Sequence, residues 1–420
     1  MPLKRKTALM RVEIVNTGTE LLLGKVVNTH AAFFGEELFK LGLRVNRQTT
    51  IPDGEPIREV LTERFPHADI LLITGGLGPT SDDITREIVS ELIDRPLRLD
   101  EAVWEEIRQF FIQRGREAAE NNRRQAMIPD GGEVLSNPNG TAPGLYLPAE
   151  PGRWPHLFLL PGPPRELRPM WRDLVEPRLR QIVGVTSLPW RNFRIHGIGE
   201  SAIATVVEDR LAAIDGLEHG YCARPGEVDI RLIGTQAAID SASAVIRGAF
   251  EQDIVTESED SIEKVLVDWL TRLGQTVATA ESCTGGLIAH TLTNVPGSSA
   301  VFPRGYVTYA NEAKSDLLGV PAELLATHGA VSEPVATAMA EGCLAASGAD
   351  HAIAVTGIAG PGGGSAEKPV GTVFIALASR RHDLPTIVRH ERFAADRLSF
   401  KSRTTRAALD LLRRRLAGWI

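Results

Sequence analysis

Residues 69–74 (DILLIT) are apolar at nearly every position, too few for a helix, and stop at Gly75-Gly76. A strand that is uniformly apolar is buried on both faces, and such strands belong to parallel sheets sandwiched between helices. Similar short runs recur at 12–15 (VEIV), 157–160, 277–280 and 352–356, most of them ending in glycine, proline or small polar residues. Helical spacing lies between them, around 31–41 and again from Glu101, where Val103, Trp104, Ile107, Phe110 and Phe111 share one face. Strands alternating with helices predict an α/β fold with ligands at the carboxyl ends of the strands.

At 420 residues the chain exceeds one ordinary core. Pro161-Gly162-Pro163-Pro164 and Glu176-Pro177 close a first domain, expected at 10–178. A smaller α/β piece is expected at 185–256, with strands near 191–196 and 227–232 around a helix from Ser201. The acidic run Glu257-Ser258-Glu259-Asp260 reads as a solvated linker, and a third α/β domain is expected at 260–418, opening with a helix over 262–273. The first nine residues read as a tail.

Composition removes several function classes. A net charge of −7 gives no basic field for a polyanion, so nucleic acid is an unfavoured partner. Cys222, Cys283 and Cys343 form no CxxC and leave an odd count, which argues against a disulfide framework or zinc cage and fits a reducing cytoplasm. No apolar run reaches 18 residues, so no membrane span is expected, and the short apolar stretch after Lys4, Arg5 and Lys6 is no signal peptide. The cations are 8 Lys against 38 Arg, with no Lys between Lys40 and Lys264. Lysine is therefore not the default surface cation here.

In the first domain the segment 74–83 (TGGLGPTSDD) follows a strand and precedes a helical pattern. Glycines there let backbone N–H groups approach a phosphate, and a helix N-terminus adds positive charge. The segment is neither a dinucleotide fingerprint, since Ser81 takes the third glycine position, nor a Walker loop, since Gly24-Lys25 is followed by Val26. Asp82 and Asp83 serve equally as helix caps. Other polar clusters, Asn16 to Glu20, Asn28-Thr29, Asn121-Asn122 with Gln125, and Asn139-Gly140-Thr141, suit a nucleotide-like ligand, and the hard oxygens of Glu20, Asp82 and Asp83 suit Mg²⁺ on a diphosphate.

In the last domain strand 277–280 runs into Glu281-Ser282-Cys283-Thr284-Gly285-Gly286. A serine at a strand-to-helix turn is presented beside N–H groups able to stabilise an oxyanion. The alternatives are a helix cap at Ser282 or Thr284, or Cys283 as nucleophile, the latter without a histidine dedicated to it. Lys314, within VTYANEAK, is the candidate base, because a buried lysine can deprotonate and an arginine cannot. Its presence in an arginine-rich chain strengthens that reading. Tyr309 lies five residues before it and could pass a proton. The loop from Gly357 to Gly364, followed by Lys368-Pro369-Val370-Gly371-Thr372, is a phosphate cradle or a plain turn.

In order, GTELLLGKVVNT, TGGLGPTSDD, NNRRQA, NGTAPG and LPGPPREL resemble the N-terminal domain of the CinA family, which is similar in fold to the molybdopterin-binding MoaB/MogA proteins. That resemblance implies metal-dependent hydrolysis of ADP-ribose to AMP and ribose 5-phosphate. Asn16, Gly18, Asn28, Gly75, Gly76, Gly78, Asn122, Gly140 and Thr141 would hold ADP-ribose, and Glu20, Asp82 and Asp83 a divalent metal such as Mg²⁺. It also implies Met10 as the start. ESCTGGLIAHTLTNVPGSS, VTYANEAKSDLLGV, HGAVSE and AVTGIAGPGGG with KPVGTV resemble the PncC-type domain, the C-terminal half of CinA. This implies hydrolysis of the carboxamide of nicotinamide mononucleotide to nicotinate mononucleotide and ammonia without a cofactor. Ser282 would be nucleophile, Lys314 base and Tyr309 an assistant, with Cys283, Thr284, Gly285, Gly286, Asn311, Thr356, Gly357, Gly360 and Gly362 around the substrate.

Two positions depart from the family pattern: Arg304-Gly305 replaces Gly-Gly, and Ala310 replaces serine, which predicts altered packing or rate. The middle piece resembles the family's KH-type domain, but Gly197-Ile198-Gly199-Glu200 lacks basic flanks, so a spacer or dimerisation role is expected, within a homodimer. The expectation is a cytoplasmic two-activity enzyme. The rivals are a molybdopterin- or nucleotide-binding protein without turnover and a competence or DNA-processing accessory.

Overall fold

The computed structural model describes residues 10–184, 189–381 and 383–420. The N-terminal tail and the expected start of the middle domain at 185 lie outside the described residues. The chain divides between residues 187 and 188 into two compact units, so the middle and last domains fall in one unit.

In the first unit a six-stranded sheet runs in the order Val45–Ile51, Val12–Thr17, Ile70–Thr74, His156–Leu160, Gly144–Leu147, Glu133–Leu135. The first four strands are parallel, as the apolar runs predict, but the last two are antiparallel, so the sheet is mixed. Side chains alternate between two cores. Leu71, Ile73, Leu157 and Leu159 enter one, while Ile70, Leu72, Phe158 and Leu160 enter the other. From Val12–Thr17 the chain goes to one neighbour and then to the other, which opens a crevice at the carboxyl ends of Val12–Thr17 and Ile70–Thr74.

In the second unit the middle domain is an antiparallel sheet in the order Leu217–Arg224, Glu227–Gly234, Trp190–His196, Ile254–Thr256. The helices Glu200–Ala212 and Gln236–Phe250 cover Phe193, Ile195, Val228, Ile230 and Leu232. The strand Leu217–Arg224 and the second helix were not anticipated from sequence. The last domain has the sheet order Gly305–Val307, Val277–Glu281, His351–Gly357, Thr372–Ser379, Ile387–Arg392, with the first three strands parallel. Ile262–Leu273 and the 20-residue helix Arg397–Leu416 contribute to the core on one side, and Glu333–Ser347 to the core on the other. The helix Asn311–Leu318 starts after Ala310, whose backbone (φ −78°, ψ 159°) is that of an N-cap but whose methyl accepts no hydrogen bond.

The acidic run is not a free linker. Asn192 Nδ2 donates to the Ser258 carbonyl at 3.2 Å, Arg194 Nη1 donates to the Asp260 carbonyl at 2.7 Å, and Glu257 pairs with Arg247. The alternating positions Asn192, Arg194, His196, Glu227 and Asp229 are buried, and some of them face the last domain. Arg194 holds Asp229 bidentately at 2.8 and 3.0 Å, and Arg406 of the long helix pairs with Glu227. One turn further along that helix Asp410, wholly buried, accepts from Arg413 at 2.8 and 2.6 Å and from Arg414 at 2.6 Å. Arg413 in turn donates to the carbonyls of Gln252 (2.6 Å) and Ile254 (2.9 Å), and Arg414 to Asp253 (2.7 Å).

Removing one partner of such a buried cluster strands the others. Asp410→Asn is expected to cost about 3–5 kcal/mol, read as a lower urea midpoint with unchanged slope. Conversely, Ala310→Ser supplies the missing cap and is expected to stabilise by about 1 kcal/mol in the same measurement.

Two candidate active sites

Ser282 follows the strand Val277–Glu281, held by donation of its N–H to the Val355 carbonyl at 3.0 Å. Gly285 and Gly286 then take left-handed backbone angles (φ 61° and 91°), which turn the chain into the helix Leu287–Thr293. The preceding Glu281 is buried and accepts from the N–H groups of Ile288 (3.0 Å) and Ala289 (2.8 Å), so it caps that helix. Glu281, and not Ser282 or Thr284, supplies that helix's side-chain cap, so the serine hydroxyl has no capping role. The N–H of Ser282 is used by Val355 and that of Gly285 by the Ser282 carbonyl at 3.1 Å, so an oxyanion would have to be met by other N–H groups of the turn.

Lys314 is 1% exposed and its Nζ lies 3.4 Å from Ser282 Oγ. The same nitrogen reaches the carbonyls of Thr308 (2.8 Å), Tyr309 (3.4 Å) and Ala310 (3.5 Å). Burial pushes the ammonium below its usual value, against a smaller opposing effect of Cys283 and Glu312. In the neutral amine two N–H bonds serve carbonyls and the lone pair is left for the serine O–H. Cys283, 4% exposed, has its thiol pushed up to about 12, first by burial, so it is a poor thiolate.

Tyr309 is exposed, and its hydroxyl accepts from Arg397 Nη2 at 2.9 Å. Arg397 Nη1 donates to the Gly360 carbonyl at 2.8 Å, so this arginine, which the sequence did not single out, ties both loops of the rim together. Asn311 is an exposed first residue of its helix. Thr356 is buried and its hydroxyl is committed to the Ala330 carbonyl at 2.8 Å, a supporting position. Gly357 and Gly360 are packing glycines, since a Cβ would lie 2.7 Å from the Thr372 carbonyl and 2.5 Å from Val370, whereas Gly362 faces open space. Thr284 is fully buried with no partner for its hydroxyl among the described residues.

In the first unit the crevice is a cleft of about 400 Å³ lined by Gly18, Glu20, Gly75, Gly76, Gly78, Asp82, Asp83, Gly140 and Thr141, all expected from sequence. Gly75 and Gly76 (φ 93° and 65°) leave no room for a side chain, since a Cβ would sit 2.5 Å from the Thr17 carbonyl and 2.0 Å from Thr85 Oγ1. Asp83 turns back onto Thr80, accepting from its N–H at 3.1 Å and from its hydroxyl. Bonding to Thr80 holds the exposed Asp82 carboxyl below the usual range.

Three expected residues stand behind the cleft. Asn28 caps the helix His30–Lys40 through His30 N (3.1 Å) and Ala31 N (3.4 Å), Asn16 is buried and accepts from Thr74 Oγ1 (2.9 Å), and Asn122 donates to Gln125 (2.9 Å), which itself lines the cleft. Two further residues were missed. Glu166 is a buried carboxylate of the lining, held by Asn137 Nδ2 at 2.9 Å directly beneath Gly140. Arg86 is fully buried behind the glycine loop and donates to the Leu77 carbonyl at 3.0 Å, with Nε and Nη2 unpartnered among the described residues.

The donors fit a hard cation, but among the described residues no three acidic, histidine or cysteine side chains converge as a ready cage. Mg²⁺ commonly keeps several waters and takes one or two carboxylates beside substrate phosphates, which this arrangement permits. No described helix is long and apolar enough to cross a membrane.

Family models match in succession: a probable molybdopterin binding domain over 13–181, the damage-inducible protein CinA KH domain over 190–257, and the CinA C-terminal domain over 259–416. The chain is 49% identical over 400 residues to a CinA-like protein of Akkermansia muciniphila, covering 95% of this chain and 96% of that one. It is 42% identical over 416 residues to a CinA-like protein of Parasynechococcus marenigrum, covering 96% and 98%. A crystal structure of competence/damage inducible protein CihA from Agrobacterium tumefaciens is 50% identical over 37% of this chain and 93% of that one, with a TM-score of 0.36. Matched through all three domains and by relatives along almost its whole length, the chain belongs to the CinA family.

Proposed function

We propose that the chain is a two-site hydrolase of pyridine-nucleotide salvage, deamidating nicotinamide mononucleotide at the serine turn and hydrolysing ADP-ribose at the glycine cleft. The observation that carries the reading is the buried Lys314 amine 3.4 Å from Ser282 Oγ. Neutral Lys314 takes the serine proton as Oγ attacks the carboxamide carbon. The proton passes to the departing nitrogen, ammonia leaves, and an ester of Ser282 remains. Water then cleaves the ester, releasing the carboxylate and restoring the hydroxyl. Arg397 and Tyr309 line the rim, where a cation favours a mononucleotide phosphate.

At the other site the glycine loop, with buried Arg86 behind it, favours an anion. Water would replace the bridging oxygen at one phosphorus, giving AMP and ribose 5-phosphate. A divalent cation, held through carboxylates drawn from Glu20, Asp82 and Asp83, would neutralise phosphate charge.

Ammonia release from nicotinamide mononucleotide is expected to fall about a thousandfold or more in Ser282→Ala and in Lys314→Arg, and to survive in Cys283→Ala. Activity persisting in Ser282→Ala rejects the nucleophile. The rate should rise with pH through a Lys314 value below 10.5. Because the folded state then binds fewer protons at Lys314 than the unfolded one, that residue's contribution to stability rises with pH between its folded value and about 10.5, and Lys314→Met should remove that contribution in urea titrations. For the cleft, Asp82→Ala is expected to lower Mg²⁺-dependent AMP formation from ADP-ribose about tenfold or more; unchanged release rejects the carboxylate assignment, and no release from the wild type favours a binding protein.

A further inference from the structure

His196 ends the strand Trp190–His196 in the seam between the middle and last domains, where it is 7% exposed. Its Nε2 lies 4.0 Å from Asp410 Oδ2, beyond hydrogen-bond reach, and its Nδ1 is buried with no partner among the described residues. Asp410 has little left to offer. Its Oδ1 already accepts twice from Arg413, and its Oδ2 accepts from Arg414 and lies 4.0 Å from Arg389 of the strand Ile387–Arg392. Glu227, in register with His196 on the neighbouring strand, is held by Arg406. Asp253, whose carbonyl takes the His196 N–H at 2.9 Å, has its carboxylate on Arg414, and Arg194 and Arg224 share Asp229. Each of these carboxylates is thus already matched to a guanidinium, and Glu263 of the helix Ile262–Leu273 bears on Glu227 and Arg194.

A neutral ring suits that setting and an imidazolium does not. With its proton on Nε2, the neutral ring turns an N–H towards Asp410 and keeps only a lone pair at Nδ1. A second proton places an N–H at Nδ1 that no described acceptor meets, and sets a positive charge beside Arg389, Arg413 and Arg414. Burial, outweighing the attraction of Asp410, holds the imidazole below its usual 6.5.

We infer that His196 is an acid-sensitive latch, and that proton uptake on its ring releases the middle domain from the helix Arg397–Leu416. The inference is independent of either proposed activity. In the open seam the ring is hydrated and takes its proton near its ordinary value of about 6.5, so each pH unit below that shifts the balance towards opening by up to about tenfold. Glu227 works in the opposite sense, because burial raises its carboxyl and proton uptake there favours the closed seam, in the window between its raised value and 4.5. Hydrogen exchange of the full chain at about pH 7.5 and about pH 5.5, corrected for the intrinsic pH dependence of exchange, tests the latch. Exchange over 252–256 and 413–419 is expected to speed about tenfold at the lower pH, while 70–74 in the first unit stays within about twofold. His196→Gln, which cannot take the proton, is expected to abolish that response, and Arg389→Gln, which removes one cation from the ring's surroundings, to reduce it. No acid response in the wild type, or an equal response in the wild type and His196→Gln, overturns the inference. If His196→Gln fails to fold, an undiminished response in Arg389→Gln overturns it instead.

Discussion

An amine sealed from water must be given acceptors or give up its proton, and the last domain is arranged around that constraint at Lys314. Three carbonyls from 308–310 and the serine hydroxyl crowd one nitrogen. That crowding requires the segment before the helix Asn311–Leu318 to pass close by the turn after Val277–Glu281, which the parallel pairing of Gly305–Val307 with Val277–Glu281 ensures. Glu281, next to the serine, has both carboxylate oxygens taken up by N–H groups of the following helix. An arginine at this position could not give up its proton, so lysine and not the chain's usual cation meets the constraint.

Much of the scaffold was legible in the sequence. The central strands and long helices follow from uninterrupted apolar runs and one-faced periodicity, as in 69–74 and from Glu101. The antiparallel strands Gly144–Leu147 and Glu133–Leu135 escaped notice because three or four residues carry no measurable period. Leu217–Arg224 escaped for another reason: it is an edge strand with much of its surface wet, so its composition resembles a loop. The contacts of the acidic run were not legible because Asn192 and Arg194 lie 66 residues before their partners, while Arg247 comes from the preceding helix.

The candidate sites divide along the same line. Residues whose role is conformational, such as Gly75, Gly76, Gly285 and Gly286, announce themselves in the chain. Residues whose role depends on long-range burial do not. Arg397 meets Tyr309 across 88 positions, Glu166 meets Asn137 across 29, and neither Arg86 nor Glu166 belongs to a pattern readable by spacing. Asn28 and Asn122 are ambiguous in sequence, since an amide suited to a ligand is equally suited to a helix end or a neighbouring glutamine.

The helix Arg397–Leu416 carries Arg397 at one end, bonded to Tyr309 and the Gly360 carbonyl, and Arg413 and Arg414 near the other, locked to residues 252–254 of the middle domain. Sixteen residues of α-helix separate these anchors, a rod of about 24 Å. The middle domain therefore anchors the far end of the helix that carries Arg397, without contributing any side chain named beside Ser282. Cutting it away would remove none of those side chains, yet would unmoor the far end of the rod on which Arg397 is mounted.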